Sequence, residues 1–455
     1  MKKAIILFAA VATGLATALA RPPNLVLIFA DDLGWKDVGY QGNDFHETPN
    51  LDRLATQGMV FSAAYAGAGN CAPSRACLLS GNYTPRHHVY AVQSTDRGPK
   101  EFQRLVPIPN RSGLAKDNVT MADALKAAGY ATGIFGKWHL DGPEGAEPGE
   151  QGFDTVHQSY HGWGEEKAKD ATNPKGIFSL TKGASEFMEK NRDRPFFVYL
   201  PHYAIHTALE AKPETLEKFK RKKPGVQHSN ALYAACLHDL DAGVGLLLAK
   251  LAELGLERDT LVVFTSDNGG LSTSEGSPTS NRPLRAGKGW MYEGGIRVPL
   301  IVRWPGVARP GSVVPTPVSS PDFFPTFLAA AGIAPPVGPA DGRSLVPVLR
   351  GEAAAERALF WHYPHYGNQG GAPSAAVRRG DWKLISWLED GREELFHLGE
   401  DLGEQRDLAA REPARAAALR TELRAWQQDV GARFPLPNPA YDPAAPSGRA
   451  APRKQ

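Results

Sequence analysis

Cysteine is scarce in this chain of 455 residues, which holds only Cys71, Cys77 and Cys236. So few exclude a disulfide-stapled miniprotein and a sulfur-ligated metal site. A charge excess is also missing, because 51 Lys and Arg face 49 Asp and Glu. A nucleic-acid binder of this size would show a basic excess or stripe, so nucleic acid is not an expected partner. Arg449, Arg453 and Lys454 make only a short solvated cluster. There is no internal repeat or coiled-coil pattern, which argues against a structural exported protein. After the first twenty residues no apolar run reaches the roughly 20 residues needed to span a bilayer, so no membrane anchor is expected.

The first twenty residues do carry a pattern. Lys2 and Lys3, an apolar stretch from Ala4 to about Ala12, and Ala18-Leu19-Ala20 read as a cleavable leader, with the mature chain starting at Arg21. The apolar stretch is interrupted by Thr13, Gly14 and Thr17, and no cysteine follows the small-residue site to carry a lipid. Loss of Lys2 and Lys3 takes the formal charge from +2 to 0. The expected location is periplasmic or secreted. After export, Cys77 and Cys236 could pair or remain buried thiols, and spacing does not choose between them.

A chain of this length can bury one large core and a smaller one. Five apolar, β-branched runs read as buried strands: Asn24 to Ala30, Ala131 to Phe135, Pro195 to Leu200, Thr260 to Thr265 and Val298 to Trp304. Continuous runs, in place of alternating ones, predict a sheet covered by helices on both faces. Thr48-Pro49 predicts the cap and first turn of a helix with Leu51, Leu54 and Ala55 inward, and Thr120 caps a second with Met121, Leu125 and Ala128 inward. A third runs from about Asn230 to Leu254 on one apolar stripe. Strand and helix alternate as in a wound, mostly parallel α/β sheet. From about Ala354 short alternating runs, Ala375 to Ile385 and Glu394 to Leu398, fit a small antiparallel sheet, followed by a helix from about Pro413 to Val430. The expected layout is a leader over 1–20, a catalytic domain over 21–353, a C-terminal subdomain over 354–435 and an extended or disordered Pro- and Ala-rich tail over 436–455.

The groups able to do chemistry follow the strands. Asp31-Asp32 comes directly after the first, and Asp267-Asn268-Gly269-Gly270 repeats the arrangement after the fourth. Ligand sites in wound sheets form at these carboxyl ends. Three carboxylates, an amide oxygen and an oxygen from position 71 would suit calcium or magnesium, not zinc. Gly136-Lys137-Trp138-His139 follows the second strand, and on extended backbone its Lys and His point to one side. His202 and His206 follow the third, one of them structural. Gly287-Lys288-Gly289 precedes the fifth, where flanking glycines let a lysine approach an anion closely.

One run remains. Cys71-Ala72-Pro73-Ser74-Arg75, with Leu78-Leu79-Ser80-Gly81 after it, resembles the sulfatase signature. Around it, in order, Ala30-Asp31-Asp32-Leu33-Gly34, Thr84-Pro85-Arg86-His87, Gly136-Lys137-Trp138-His139, Ser266-Asp267-Asn268-Gly269, Gly287-Lys288-Gly289 and Glu293-Gly294-Gly295-Ile296-Arg297 are similar to the type I sulfatases of the alkaline phosphatase-like superfamily. Glu394 to Leu398, with Asp401, Glu404 and Leu408, is similar to their C-terminal motif. The resemblance implies an α/β fold with a large mixed, mostly parallel central sheet between helices, and a small C-terminal antiparallel sheet with one helix. It implies that a maturation enzyme converts Cys71 to formylglycine, and that Asp31, Asp32, Asp267, Asn268 and modified Cys71 bind one calcium ion. In that family one hydroxyl of the hydrated aldehyde attacks sulfur, the alcohol leaves, and the second hydroxyl expels sulfate. Arg75 would position the hydrate, and Lys137 and Lys288 would counter charge on the sulfate oxygens. His139 would be the base for expulsion, and His206, more than His202, the acid for the leaving oxygen. Ile205 and His88 depart from the family pattern.

The implied substrate is a sulfated glycan or an aryl sulfate. The segment Gly152 to Glu166, with His157, Tyr160, His161 and Trp163, has a mixture that suits a sugar ring. Two other readings share these residues: a phosphoester or phosphonate hydrolase of the same superfamily, and a glycan-binding protein without activity.

Overall fold

β1 (Asn24–Ala30) is buried at every position, and the computed structural model shows what covers it. Leu25, Leu27 and Phe29 enter one core while Val26, Ile28 and Ala30 enter another, so both faces of the strand lie under helices. The structure describes residues 21–95, 97–158, 170–334, 336 and 340–444. The expected leader over 1–20 and residues 445–455 fall outside them.

Seven strands join β1: β2 (Met59–Phe61), β3 (Ala131–Phe135), β4 (Thr155–His157), β5 (Phe196–Pro201), β6 (Thr260–Ser266), β7 (Leu300–Arg303) and β8 (Ser312–Val314). Their spatial order is β8-β2-β7-β6-β1-β5-β3-β4. The strands from β6 to β4 are parallel, β7 is antiparallel to both neighbours, and β8 is parallel to β2. All five expected strands are present. The three-residue strands β2, β4 and β8 are too short to leave a periodic signal.

One helical layer holds α1 (Pro49–Gln57), α4 (Ile177–Lys190) and α5 (Ala231–Glu253), and the other holds α2 (Cys71–Ser80), α3 (Met121–Ala127) and α6 (Phe323–Ala330). Thr120 caps α3 as expected, and Asp123 returns the bond to its backbone, although Ala128, expected inward, is exposed. Thr48 does not cap α1 with its side chain. Its hydroxyl bonds Asp52, and the free amides of Asn50 and Leu51 are taken instead by Asp241 of α5, at 3.0 and 2.8 Å. Among the described residues α5 alone has the length and hydropathy of a membrane-crossing helix, contrary to expectation, and most of that surface is buried in the core.

The C-terminal sheet is antiparallel in the order β9 (Ala358–Tyr363), β10 (Ser374–Arg379), β11 (Trp382–Trp387), β12 (Glu393–His397), as expected. α7 (Pro413–Asp429) covers one face with Ala416, Leu419 and Leu423. The other face packs Trp361, Ile385 and Phe396 against Tyr65, Met291 and Ile296 of the large domain. Beside this contact Lys383, with no exposed surface, bonds Glu293 and Glu404 at 2.9 Å each. The start of the expected tail is not loose: Leu436–Pro437 pairs antiparallel with Leu105–Val106. Cys77 and Cys236 are buried free thiols, which decides between the two alternatives.

Candidate active site

The four central parallel strands deliver their following residues to one edge of the sheet. Asp31 and Asp32 leave β1, Lys137 and His139 leave β3, His202 and His206 leave β5, and Asp267 and Asn268 leave β6. Two glycines let these turns pack. A Cβ on Gly136, whose φ is +129°, would sit 2.0 Å from the Pro201 carbonyl, and one on Gly269 would sit 1.8 Å from the Gly294 carbonyl. Lys137 N donates to that Pro201 carbonyl at 2.7 Å, which fixes where its side chain starts.

Cys71 is the first residue of α2, an entirely buried helix whose positive end faces the acidic turn. Its Sγ, standing where the oxygen of a formylglycine hydrate would be, lies 3.5 Å from Asp31 Oδ1 and 3.8 Å from Asp32 Oδ1. Burial pushes the thiol pKa up, despite Lys137 and Lys288. As encoded, Cys71 is therefore a protonated, weak nucleophile. One turn along α2, Arg75 donates to Asp267 Oδ2 from Nη2 at 2.7 Å and to the Lys137 carbonyl at 3.0 Å.

Cations answer the other carboxylates. Lys137 Nζ bonds Asp31 Oδ2, and Lys288 Nζ bonds Asp32 Oδ2 at 2.8 Å. Burial alone would hold Asp31 neutral, but Lys137, His206, Arg75 and Lys288 outweigh it and keep its pKa well below the carboxylate range. Asp32 is lowered against burial mainly by Lys288, while burial and Asp31 raise Asp267 to about 6. Asp31, Asp32 and Asp267 thus face Arg75, Lys137 and Lys288, three charges against three.

The donors fit a hard cation. One ligand atom from each of Asp31, Asp32, Cys71 and His206 lies within 4.8 Å of the others. Asn268 Nδ2 donates to Asp32 Oδ1 at 2.8 Å, which leaves its buried Oδ1 without a hydrogen-bond partner. An orphaned amide oxygen among carboxylates is a calcium-type donor. Asp267 stands slightly apart, its Oδ1 accepting from Asp32 N at 3.0 Å and its Oδ2 held by Arg75.

The two candidate imidazoles flank this group. His139, at φ +62°, is pushed well below its ordinary pKa by burial and by Lys137, and its Nδ1 has no partner. His206 has Nδ1 bonded to the Thr207 carbonyl and Nε2 3.7 Å from Asp32 Oδ2. Burial lowers its pKa and Asp32 partly restores it. His202 is fully buried with neither ring nitrogen bonded, which leaves it as the structural member of the pair. Ile205 packs into the core below the loop.

Cys71, His139, His206 and Lys288 form one end of a cavity of about 550 Å³. Its walls were not legible in the sequence. Gln93 and Arg97 come from the loop after Tyr90, Glu275 from the loop after β6, and Tyr363 to Gln369 from the C-terminal subdomain. None stands in a motif, and the position of the last depends on how the two sheets dock. The expected sugar segment fares differently. His157 is exposed on edge strand β4 and lies outside the cavity wall, and Tyr160, His161 and Trp163 lie outside the described residues. His88 sits beside Tyr90, also away from the cavity.

Comparison with known proteins agrees with this geometry. The Sulfatase family model matches residues 23–333, and the model described as N-sulphoglucosamine sulphohydrolase, C-terminal, matches 286–429. A sulfatase of Formosa agariphila is 34% identical, covering 89% of this chain and 88% of its own. Human arylsulfatase A is 35% identical over 83% of this chain and 77% of its own. The crystal structure of Ps i-CgsB superimposes with a TM-score of 0.75 at 30% identity, over 91% of this chain and 95% of that one. The chain belongs to the sulfatase family, whose members are sulfuric ester hydrolases.

Proposed function

We propose that the chain removes sulfate from a glycan through a formylglycine hydrate made from Cys71, with one calcium ion held by Asp31, Asp32, Asp267, Asn268 and residue 71. The observation that carries this reading is the cancellation of charge around position 71. Three buried carboxylates balance three buried cations there, so a divalent ion leaves net positive charge for an anionic ester. Calcium would supply that charge and a template for one sulfate oxygen, and formylglycine would supply the oxygen nucleophile that the protonated Cys71 lacks.

The remaining work falls to side chains. Lys137 and Lys288, bonded to Asp31 and Asp32, would also counter charge on the sulfate oxygens. His206 gives a proton to the leaving oxygen from Nε2; because Nδ1 bonds the Thr207 carbonyl, Nε2 carries that proton only in the imidazolium, the form that burial disfavours and Asp32 favours. His139, kept neutral by burial, takes the proton whose loss expels sulfate. Arg75 holds Asp267 and the Lys137 carbonyl in place.

A sugar is favoured over an aryl group by the cavity walls, where Gln93, Asn368 and Gln369 offer amides suited to hydroxyls. Ps i-CgsB has also been crystallised with k-i-k-neocarrahexaose, a ligand of the same chemical type. Export to the periplasm or beyond belongs to the same reading and rests on the leader at 1–20.

The test is the mass of tryptic peptide Leu54–Arg75 from a host with a maturation enzyme. Exchange of sulfur and two hydrogens for one oxygen supports the reading. An unmodified thiol throughout removes the nucleophile. Paired aryl sulfate and phosphate esters then separate sulfatase from phosphatase chemistry.

A further inference from the structure

The orientation of His206 depends on the peptide that follows it. Its Nδ1 bonds the Thr207 carbonyl, which places the Nδ1 proton and leaves Nε2 turned toward Asp32. The ring is therefore only as fixed as the Thr207–Ala208 segment, which lies in a loop beyond the end of β5.

Two side chains outside the constellation tether that segment. From the inside, Lys175 Nζ donates to the Ala208 carbonyl at 2.9 Å, and Lys175 N donates to Glu210 Oε2 at 2.9 Å. Lys175 is buried, with 4% of its surface exposed, in the turn that leads into α4. Burying an ammonium is costly, and a methionine would fill the same space without that penalty. From the outside, Thr207 Oγ1 donates to Glu275 Oε2 at 3.0 Å, and Glu275 Oε1 accepts from Gln369 Nε2 at 3.2 Å. Gln369 belongs to the C-terminal subdomain's cavity wall.

We infer that Lys175 is a positioning residue for His206: its bond to the Ala208 carbonyl holds the loop so that Nε2 meets the leaving oxygen, with the Thr207–Glu275 bond as the outer tether. The inference rests on the proposed role of His206 as the acid. Protonation of the leaving group matters little when that group is a stable phenolate and greatly when it is a basic alkoxide. Loss of Lys175 therefore costs rate in proportion to leaving-group basicity, a pattern that general loosening of the fold does not produce.

The experiment measures kcat/KM of the matured full chain for substituted phenyl sulfates spanning a range of phenol pKa, with K175M, H206N, the double variant and T207V, after thermal melts establish folding. K175M is expected to lose under about threefold with 4-nitrophenyl sulfate and about a hundredfold with the most basic phenols, steepening the slope toward that of H206N. K175M added to H206N is expected to cost little more than H206N alone. T207V, a near-isosteric change, steepens the slope less and carries the test if K175M does not fold. Equal losses across the series in K175M or T207V, with H206N steepened, would overturn the inference while leaving the acid in place. An unchanged slope in H206N would remove the acid assignment itself, and the inference with it.

Discussion

Arg75 donates from both Nε and Nη2 to a single oxygen of Asp267, at 3.1 and 2.7 Å, and neither side chain has any exposed surface. The two residues are 192 positions apart and join α2 to the end of β6. A fork of this kind is specific to guanidinium. R75M leaves Asp267 buried without its cation and is expected to lose about 3–5 kcal/mol of stability in urea unfolding. R75K returns the charge without the fork, so it recovers part of the stability while kcat/KM stays at least about a hundredfold down.

Chelation should separate activity from folding. Asp31 and Asp32 each already have a lysine partner, at Lys137 and Lys288. Removing the proposed calcium ion is expected to abolish turnover and lower Tm by only a few degrees, with recovery on adding the ion back. N268A is expected to weaken calcium binding in titration calorimetry without changing the circular dichroism spectrum. Unfolding on chelation would show that the lysines do not balance those carboxylates.

H139Q tests the base. With His139 replaced, the first alcohol is released and the sulfate is not, so stopped-flow assays should show a burst of about one equivalent per site followed by a rate at least about a hundredfold below the native one. Mass spectrometry of the Leu54–Arg75 peptide should find sulfate retained on it. A slow reaction without a burst would place His139 in the first step instead.

Glu404 gives the junction of the two sheets a pH dependence. Burial drives the Glu404 pKa up to about 7 despite Lys383, while Lys383 and Arg297 hold Glu293 down at about 2. Between the ordinary 4.5 and about 7 the folded chain keeps a proton on Glu404 that the unfolded chain has lost, so stability falls as pH rises through that window. For Glu293 the contribution is present above the ordinary 4.5 and is lost as pH falls toward about 2. E404Q is expected to flatten the decline in Tm between about pH 5 and 8. K383M, which leaves two carboxylates without their shared ammonium, is expected to lose about 3–5 kcal/mol at about pH 8.

Much of this was legible because each chemical group sits a few residues past an apolar run. A strand such as Asn24–Ala30 announces itself by continuous burial, and the turn after it is forced to the sheet edge, so Asp31 and Asp32 could be placed without knowing the strand order. The same local logic placed Lys137, His206 and Asp267. What depended on distance could not be read. Asp241 replaces the expected Thr48 cap because α1 and α5 pack side by side. Glu404 stands in a recognisable motif, yet its raised pKa arises only when folding buries it and the large domain brings Glu293, against the pull of Lys383 from β11. Likewise Gln369 reaches the cavity through the docking of a second sheet.

Cys71 is 1% exposed, at the head of a buried helix. An enzyme that oxidises a side chain must bring its own reactive group up to it, and in the folded chain Cys71 is met within the wall of a cavity of about 550 Å³. The segment around it is complete more than 200 residues before Lys288, and the Tyr363–Gln369 wall comes later still. The proposed modification of this cysteine would thus compete with folding, easiest while the polypeptide is still being made and more confined once the sheets have docked. Variants that fold more slowly would leave that window open longer, so yield of active enzyme and thermal stability need not rise together.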